Sequence, residues 1–280
     1  MIAHRYTIEA EIKRGAFGVI YKGFYKLREP VAIKMEHAPV SSLQHEVKLI
    51  QYLYMSNVRN IPSVYWFGNH ENKPCLVMSY YECSLYDYYL SEKKMTPEKM
   101  VILLLKIIEI FENIHKHYVL HRDIKPQNFM IKDGDIYLID FGLATFYIND
   151  RGEHYPNEPS DTMVGSPIFT SIHIHHGERY SRRDDLISLV YLYLFMLGHS
   201  FHTMNVVGPI ETAYSKIDIR HPQNVYLKEQ KEYERLRTLD DKIEPYMKYT
   251  YSIKYDEPPK YELLHDFFTK WLSDSSYSHL

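Results

Sequence analysis

A chain of 280 residues can build one large domain or two small lobes around an ample core. With 45% apolar and 25% charged residues, its composition is that of an ordinary globular protein, free of internal repeats and low-complexity tracts. A formal net charge of −3 excludes the broad basic field that would point to nucleic acid or an anionic membrane surface.

The opening "MIAHRYTIEAEIKRG" lacks the apolar core of a secretion signal. Tyr6, Ile8, Ala10 and Ile12 alternate with more polar residues, which predicts a half-buried strand. "VIYKGFY" and "PVAIKME" continue the β pattern. "SLQHEVKLIQYLY" then places Leu43, Val47, Ile50 and Tyr54 at helical spacing, and "CLVMSYY" reads as a further apolar strand. Up to Tyr81 the chain is therefore predicted to be mostly β with one helix. Beyond it the period changes. "TPEKMVILLLKIIEIFENIHKH" opens with Thr96 as N-cap and Pro97 at the first helical position, and it is apolar on more than one side, as a core helix is. A polar, proline-containing loop follows from about Tyr147 to Pro167, and the remainder reads as helical through "YELLHDFFTKWL". The most apolar window, Leu186 to Leu197, has 12 residues, too few to span a bilayer and suited to a buried helix. Cys75 and Cys83 match no zinc or redox spacing, so a reducing intracellular compartment is the simplest reading.

Three short motifs occur in a telling order: "VAIK" ending at Lys34, "HRDIKPQN" over His121–Asn128, and "DFG" over Asp140–Gly142, with a glycine-rich stretch upstream. Taken alone, Lys34 reads as a solvated strand lysine, and Asp123 and Asp140 as turn or cap residues. Together the motifs resemble the eukaryotic protein kinase family from about Tyr6 to Leu272. That resemblance implies an α+β, bilobal kinase fold filling residues 1–280 as a single domain. A small β-rich N-lobe would cover about 1–79, a hinge about 79–84, and a larger, mainly helical C-lobe about 85–280. It further implies ATP and Mg²⁺ as cofactors. Phosphoryl transfer asks an enzyme mainly to position groups and neutralise phosphate oxygens, which explains the residue types. Lys34 would bring a fixed cation to the α/β-phosphates, held by Glu46 of the lobe's only helix. Asn128 and Asp140 would offer hard oxygen ligands to Mg²⁺. Asp123 would orient the substrate hydroxyl and accept its proton. Lys125 would reach the γ-phosphate, as in the serine/threonine branch of the family.

The family's loop G-x-G-x-x-G-x-V appears here as Lys13-x-Gly15-x-x-Gly18-x-Ile20. Backbone amides around Ala16, Phe17 and Gly18 would cradle phosphate, and Gly15 and Gly18 would allow the close approach. Lys13 replaces a glycine that helps the strand bend, and with Arg14 and Val19 it completes the loop. Ile12 and Ile20 would wall the adenine, and Met78, beside the hinge, would back its pocket.

Downstream, "GSPIFTSIHIHHGERYSRRDDLISL" resembles the casein kinase 1 group, with "SRRDDL" an identical run; its vaccinia-related branch is equally compatible. By this resemblance Asp185 anchors the catalytic loop through its backbone. The group's arginine and lysine for a phosphate already on the substrate are Ile168 and Asp161 here, so the kinase is expected to depend little on primed substrates and, like its relatives, to be constitutively active. Residues 202–226 read as an insertion. The chain ends soon after the catalytic core, which implies that the relatives' autoinhibitory tail is absent. The expected protein is a monomer acting on protein substrates in the cytoplasm, the nucleus being open as well, without nucleic-acid or membrane partners. Two alternatives share these motifs: a pseudokinase scaffold that binds ATP without transfer, supported only by Lys13, and a small-molecule phosphotransferase.

Overall fold

Side chains alternate across a strand, and in the first part of the chain that alternation sorts one face from the other. The computed structural model describes residues 1–15, 18–37, 42–91, 95–199 and 217–277. It divides into two units, Met1–Ser84 with Phe129–Gly142, and Leu85–Asn128 with Leu143–Leu280.

In the first unit, β1 (Tyr6–Arg14), β2 (Gly18–Tyr25), β3 (Glu29–Glu36), β4 (Val64–His70) and β5 (Lys73–Ser79) form an antiparallel sheet ordered β1-β2-β3-β5-β4. Val31 and Ile33 of β3 pack with Ile2, Tyr6, Cys75 and Val77. Ala32 points the other way, joining Leu76 and Met78 against Leu43 and Val47 of α1 (Leu43–Met55). Lys34 lies two residues beyond Ala32 and so emerges on the α1 face. β4, which the sequence pattern did not mark, joins β5 through Glu71 and Asn72, both with positive φ (50° and 60°), the signature of a tight hairpin turn.

β1 departs from the half-buried strand expected. Ile8 is 45% and Ile12 51% exposed. The strand lies at the sheet's edge, paired only with β2, and its register slips between Ile8 and Ala10 and again between Glu11 and Lys13. Such bulges turn side chains out of strict alternation.

The sheet order β6-β8-β9 completes this unit: β6 (Cys83–Ser84), then, after β7 (Val119–Leu120) of the second unit, β8 (Phe129–Lys132) and β9 (Asp135–Leu138). Asn60 fastens the last strand, its Nδ2 donating to Ile136 O (3.0 Å) and its carbonyl accepting from Leu138 N (2.9 Å). Asp140, two residues further on, thereby belongs to the unit that carries Lys34.

The second unit begins with α2 (Leu85–Leu90) and α3 (Pro97–Lys116). Thr96 Oγ1 accepts from Lys99 N (3.3 Å), the cap expected, with Pro97 at the helix start. After β10 (Thr145–Phe146), paired with β7, the chain is mostly irregular up to β11 (Thr162–Met163) and α4 (Ile172–His175). α5 (Arg182–Met196) is buried along nearly its whole length, as its even apolarity predicts. β12 (Ile217–Asp218) pairs with β11, and α6 (Pro222–Gln230), α7 (Tyr233–Leu236), α8 (Glu244–Ser252) and α9 (Tyr261–Tyr277) follow. α3 packs on α5 and α9, and α5 on α8. Of the segment read as an insertion, 202–216 lies outside the described residues, while 217–226 forms β12 and the start of α6. Among the described residues no helix is long and apolar enough to cross a membrane.

Candidate active site

The first unit gathers three of the expected residues. Lys34 Nζ lies 2.8 Å from Glu46 Oε2 and 3.0 Å from Asp140 Oδ1. β3 aims Lys34 at α1, and Glu46, in the first turn of α1, is wholly buried. Burial works against the ammonium charge, but Asp140 and Glu46 outweigh it and hold the amine firmly protonated. Asp140 takes the left-handed backbone conformation (φ 64°), uncommon for a residue with a side chain and held here between β9 and a following 3-10 turn at Phe141–Leu143. Met78 is buried in the cluster of Ala32, Leu76, Leu43 and Val47.

The glycine stretch is strand on both sides. Gly15 N donates to Gly18 O (2.9 Å), closing the turn whose tip, Ala16 and Phe17, lies outside the described residues. Gly18 is glycine for a reason the sequence did not disclose. A Cβ there would come within 2.1 Å of Met35 O on the neighbouring strand, whereas one at Gly15 meets nothing within 4 Å. Lys13 pairs with Ile20 in regular ladder fashion just after a bulge, and Arg14 forms an exposed ion pair with Glu11. Val19 is buried, and Ile12 is half exposed on the edge strand.

The second unit holds the other constellation. Asp123, 1% exposed, accepts at Oδ2 from Lys125 Nζ (2.7 Å) and from Asn128 Nδ2 (3.0 Å). Asn128 Nδ2 also donates to Asp123 O (2.8 Å), so its amide oxygen is turned away from the aspartate. The other carboxylate oxygen accepts from Ser166 Oγ (3.0 Å). Ser166 carries no signal a sequence reader could use alone. Its neighbour Gly165 does: with φ 90° and a Cβ that would lie 2.4 Å from Arg122 O, that position admits only glycine.

Below the loop, Asp185 accepts from His121 N (2.8 Å), Arg122 N (3.0 Å) and His115 Nε2 (3.0 Å). These bonds fix the left-handed turn at Arg122 (φ 67°). Burial disfavours the Asp185 charge, yet the hydrogen bond from His115 and the backbone donor hold its carboxyl below the usual range. Burial also keeps His115 neutral, and its Nδ1 meets the Tyr261 hydroxyl of α9.

In chemical terms, one unit presents a cation locked between two carboxylates, and the other a carboxylate ordered by an ammonium, an amide and a hydroxyl. Residues 6–264 match the protein kinase domain family, and the chain belongs to it. It is 26% identical to Casein kinase I homolog 3 of Schizosaccharomyces pombe, the match covering 97% of this chain and 63% of that protein. To Casein kinase I homolog 1 of Saccharomyces cerevisiae it is 28% identical, over 94% of this chain and 49% of that protein. Both of these similar proteins are casein kinase I homologs, and the "SRRDDL" run resembles the same group. The chain spans only half to two thirds of the length of these relatives. Members of the family generally use ATP and Mg²⁺.

Proposed function

We propose that this chain is a protein serine/threonine kinase that transfers the γ-phosphate of ATP to protein hydroxyls, without a need for phosphate on its own activation segment (the stretch from the DFG motif to the turn at 166–170) and with little dependence on primed substrates. The observation that carries the reading is the ordering of Asp123 by Lys125, Asn128 and Ser166. A carboxylate held on both oxygens can orient a substrate hydroxyl and take its proton as phosphate is transferred. Lys125, at the same carboxylate, has the charge and reach to steady the transferred phosphoryl group. Lys34, held protonated by Glu46 and Asp140, serves the α/β-phosphates.

The donor set suits Mg²⁺. Asp140 and Asn128 are each, taken singly, side chains with a hard oxygen of the kind Mg²⁺ accepts, and among the described residues no cluster of three His, Cys, Asp or Glu forms a cage for a metal by itself. Mg²⁺ is commonly held by one or two protein oxygens together with substrate phosphates. When bound it neutralises charge on the phosphate oxygens.

The test is transfer of labelled phosphate from ATP, with Mg²⁺, to casein and to the protein itself. Asp123→Asn should lower kcat by about 10²- to 10⁴-fold, and Asp140→Asn by at least as much. A folded wild-type chain that binds ATP and transfers nothing to several substrates would be a scaffold, and the proposal would fall.

A further inference from the structure

Lys231, at the C-terminus of α6, is fully buried and has no part in the chemistry above. Its Nζ lies 2.6 Å from Pro167 O, 2.5 Å from Thr170 O and 3.0 Å from His175 Nε2, above the Tyr191 ring. No carboxylate is among these partners. An isolated charge in such a place is costly, and burial pulls the amine well below its ordinary range. An amine with little charge suits the partners: its N–H groups face the two carbonyls, and the His175 Nε2–H is shared between its nitrogen (3.0 Å) and Pro167 O (3.1 Å).

The two carbonyls belong to one turn. Phe169 N and Thr170 N both donate to Ser166 O (2.9 and 3.0 Å), and Thr170 Oγ1 donates there as well (3.0 Å). Ser166, which opens the turn, is the residue that donates to Asp123. Lys231 thus reaches the Asp123 carboxylate through two hydrogen bonds, one to Pro167 O and one from Ser166 Oγ, joined by the peptide link between residues 166 and 167. The same stretch of chain grips the activation segment a second time. β12 pairs Ile217 with Met163 and Asp218 with Thr162, and Ile219 N donates to Asp161 O (3.0 Å). Asn224 Nδ2 of α6 donates to Asp218 O (2.6 Å), tying strand to helix, so residues 217–231 act as a strap with one hold at 161–163 and another at 166–170.

We propose that Lys231 is a positioning residue for phosphoryl transfer: with β12 it straps the activation segment so that Ser166 stays against Asp123 with no phosphate on the segment. A peptide whose hydroxyl reaches Asp123 must pass beside the turn that Lys231 holds, so loosening the turn weakens the grip on protein substrate and leaves the nucleotide untouched. The inference rests on the kinase reading above.

The experiment compares phosphatase-treated full chains: wild type, Lys231→Met, Lys231→Gln and Ile219→Pro. Lys231→Met removes the donors and should raise the KM for casein by about tenfold, with the ATP KM within about twofold. Amides of 161–175 should exchange hydrogen about tenfold faster or more, well below the melting temperature. Lys231→Gln restores donors and should bring the casein KM back to within about threefold of wild type. Ile219→Pro removes only one strap bond, at a partly exposed position, and should raise the same KM by about threefold. A fall in kcat with both KM values and the exchange of 161–175 unchanged would mean only lost active protein, and would overturn the proposal. So would a Lys231→Met chain that matches wild type in KM and exchange, or a wild type that loses activity on phosphatase treatment. If wild type transfers no phosphate at all, the kinase reading fails, while the exchange comparison, which needs no turnover, still decides the strap.

Discussion

Two buried lysines show how one side chain can serve opposite ends. Lys34 lies between Glu46 and Asp140, and these carboxylates overcome the effect of burial and keep it charged. Among the described residues Lys231 has two carbonyls, an imidazole and the Tyr191 ring around its amine, and there burial prevails. Flanking carboxylates favour the charged form at Lys34, and burial with neutral partners disfavours it at Lys231. What distinguishes the two sites is whether a carboxylate stands within reach, which nothing in the residue itself decides.

The most severe test of this contrast replaces each lysine by glutamine, which keeps a donor and removes any charge. Lys34→Gln should lower kcat by about 10²-fold or more, because a preorganised cation at the phosphates is lost and the buried Glu46 is left without its partner. At Lys231 the donor is what matters, so Lys231→Gln should cost about threefold at most. Equal losses at the two positions would break the contrast, and an Arg at 34 that fully restored transfer would show that placement there matters less than charge.

Acid offers a second, gentler test. Burial holds His115 and His175 below their ordinary value of 6.5. Both rings are then neutral in the folded chain. As pH falls through about 6.5 the unfolded chain takes up protons that the folded one does not, so stability falls with pH, by up to about 1.4 kcal/mol per pH unit for each ring. Urea unfolding between pH 7.5 and 5.5 should show this slope, and His175→Gln should flatten it. A midpoint that held constant, or rose, on acidification would mean that these rings are charged in the fold and that burial around Lys231 is weaker than described.

Much of this contrast was legible in the sequence, and the illegible part has a common cause. The order of "VAIK", "HRDIKPQN" and "DFG" brought Lys34, Asp123, Asn128 and Asp140 into view, since local motifs survive in one dimension. Thr96 and Pro97 announced α3 for the same reason. What stayed hidden depends on pairings far apart in the chain. Ser166 meets Asp123 across 43 residues, and Lys231 meets Pro167 across 64. Gly18 looked like a phosphate residue and answers also to Met35 on the next strand. The exposure of Ile8 and Ile12 depends on edge position and bulges, which alternation alone does not encode.

The smallest effect expected concerns phosphate on the substrate. An anion pocket needs cations, and those near this segment are otherwise engaged. Ile168 is buried and carries no charge, and Asp161 would repel a phosphate. Arg179 pairs with Glu158 (3.3 Å), Arg220 with Asp218 (3.0 Å), and Arg122 donates to Leu143 O (2.7 Å). Lys231 is turned inward on the turn's own carbonyls, and burial disfavours its charge. Two peptides that differ only by a phosphoserine three residues before the target should therefore be phosphorylated with kcat/KM values within about threefold of each other. A preference of tenfold or more for the phosphorylated peptide would require one of these cations to leave its partner for the substrate. Because Arg122 lies beside the catalytic loop and Arg220 follows β12, repeating the pair with Arg122→Gln and with Arg220→Gln would show which one does.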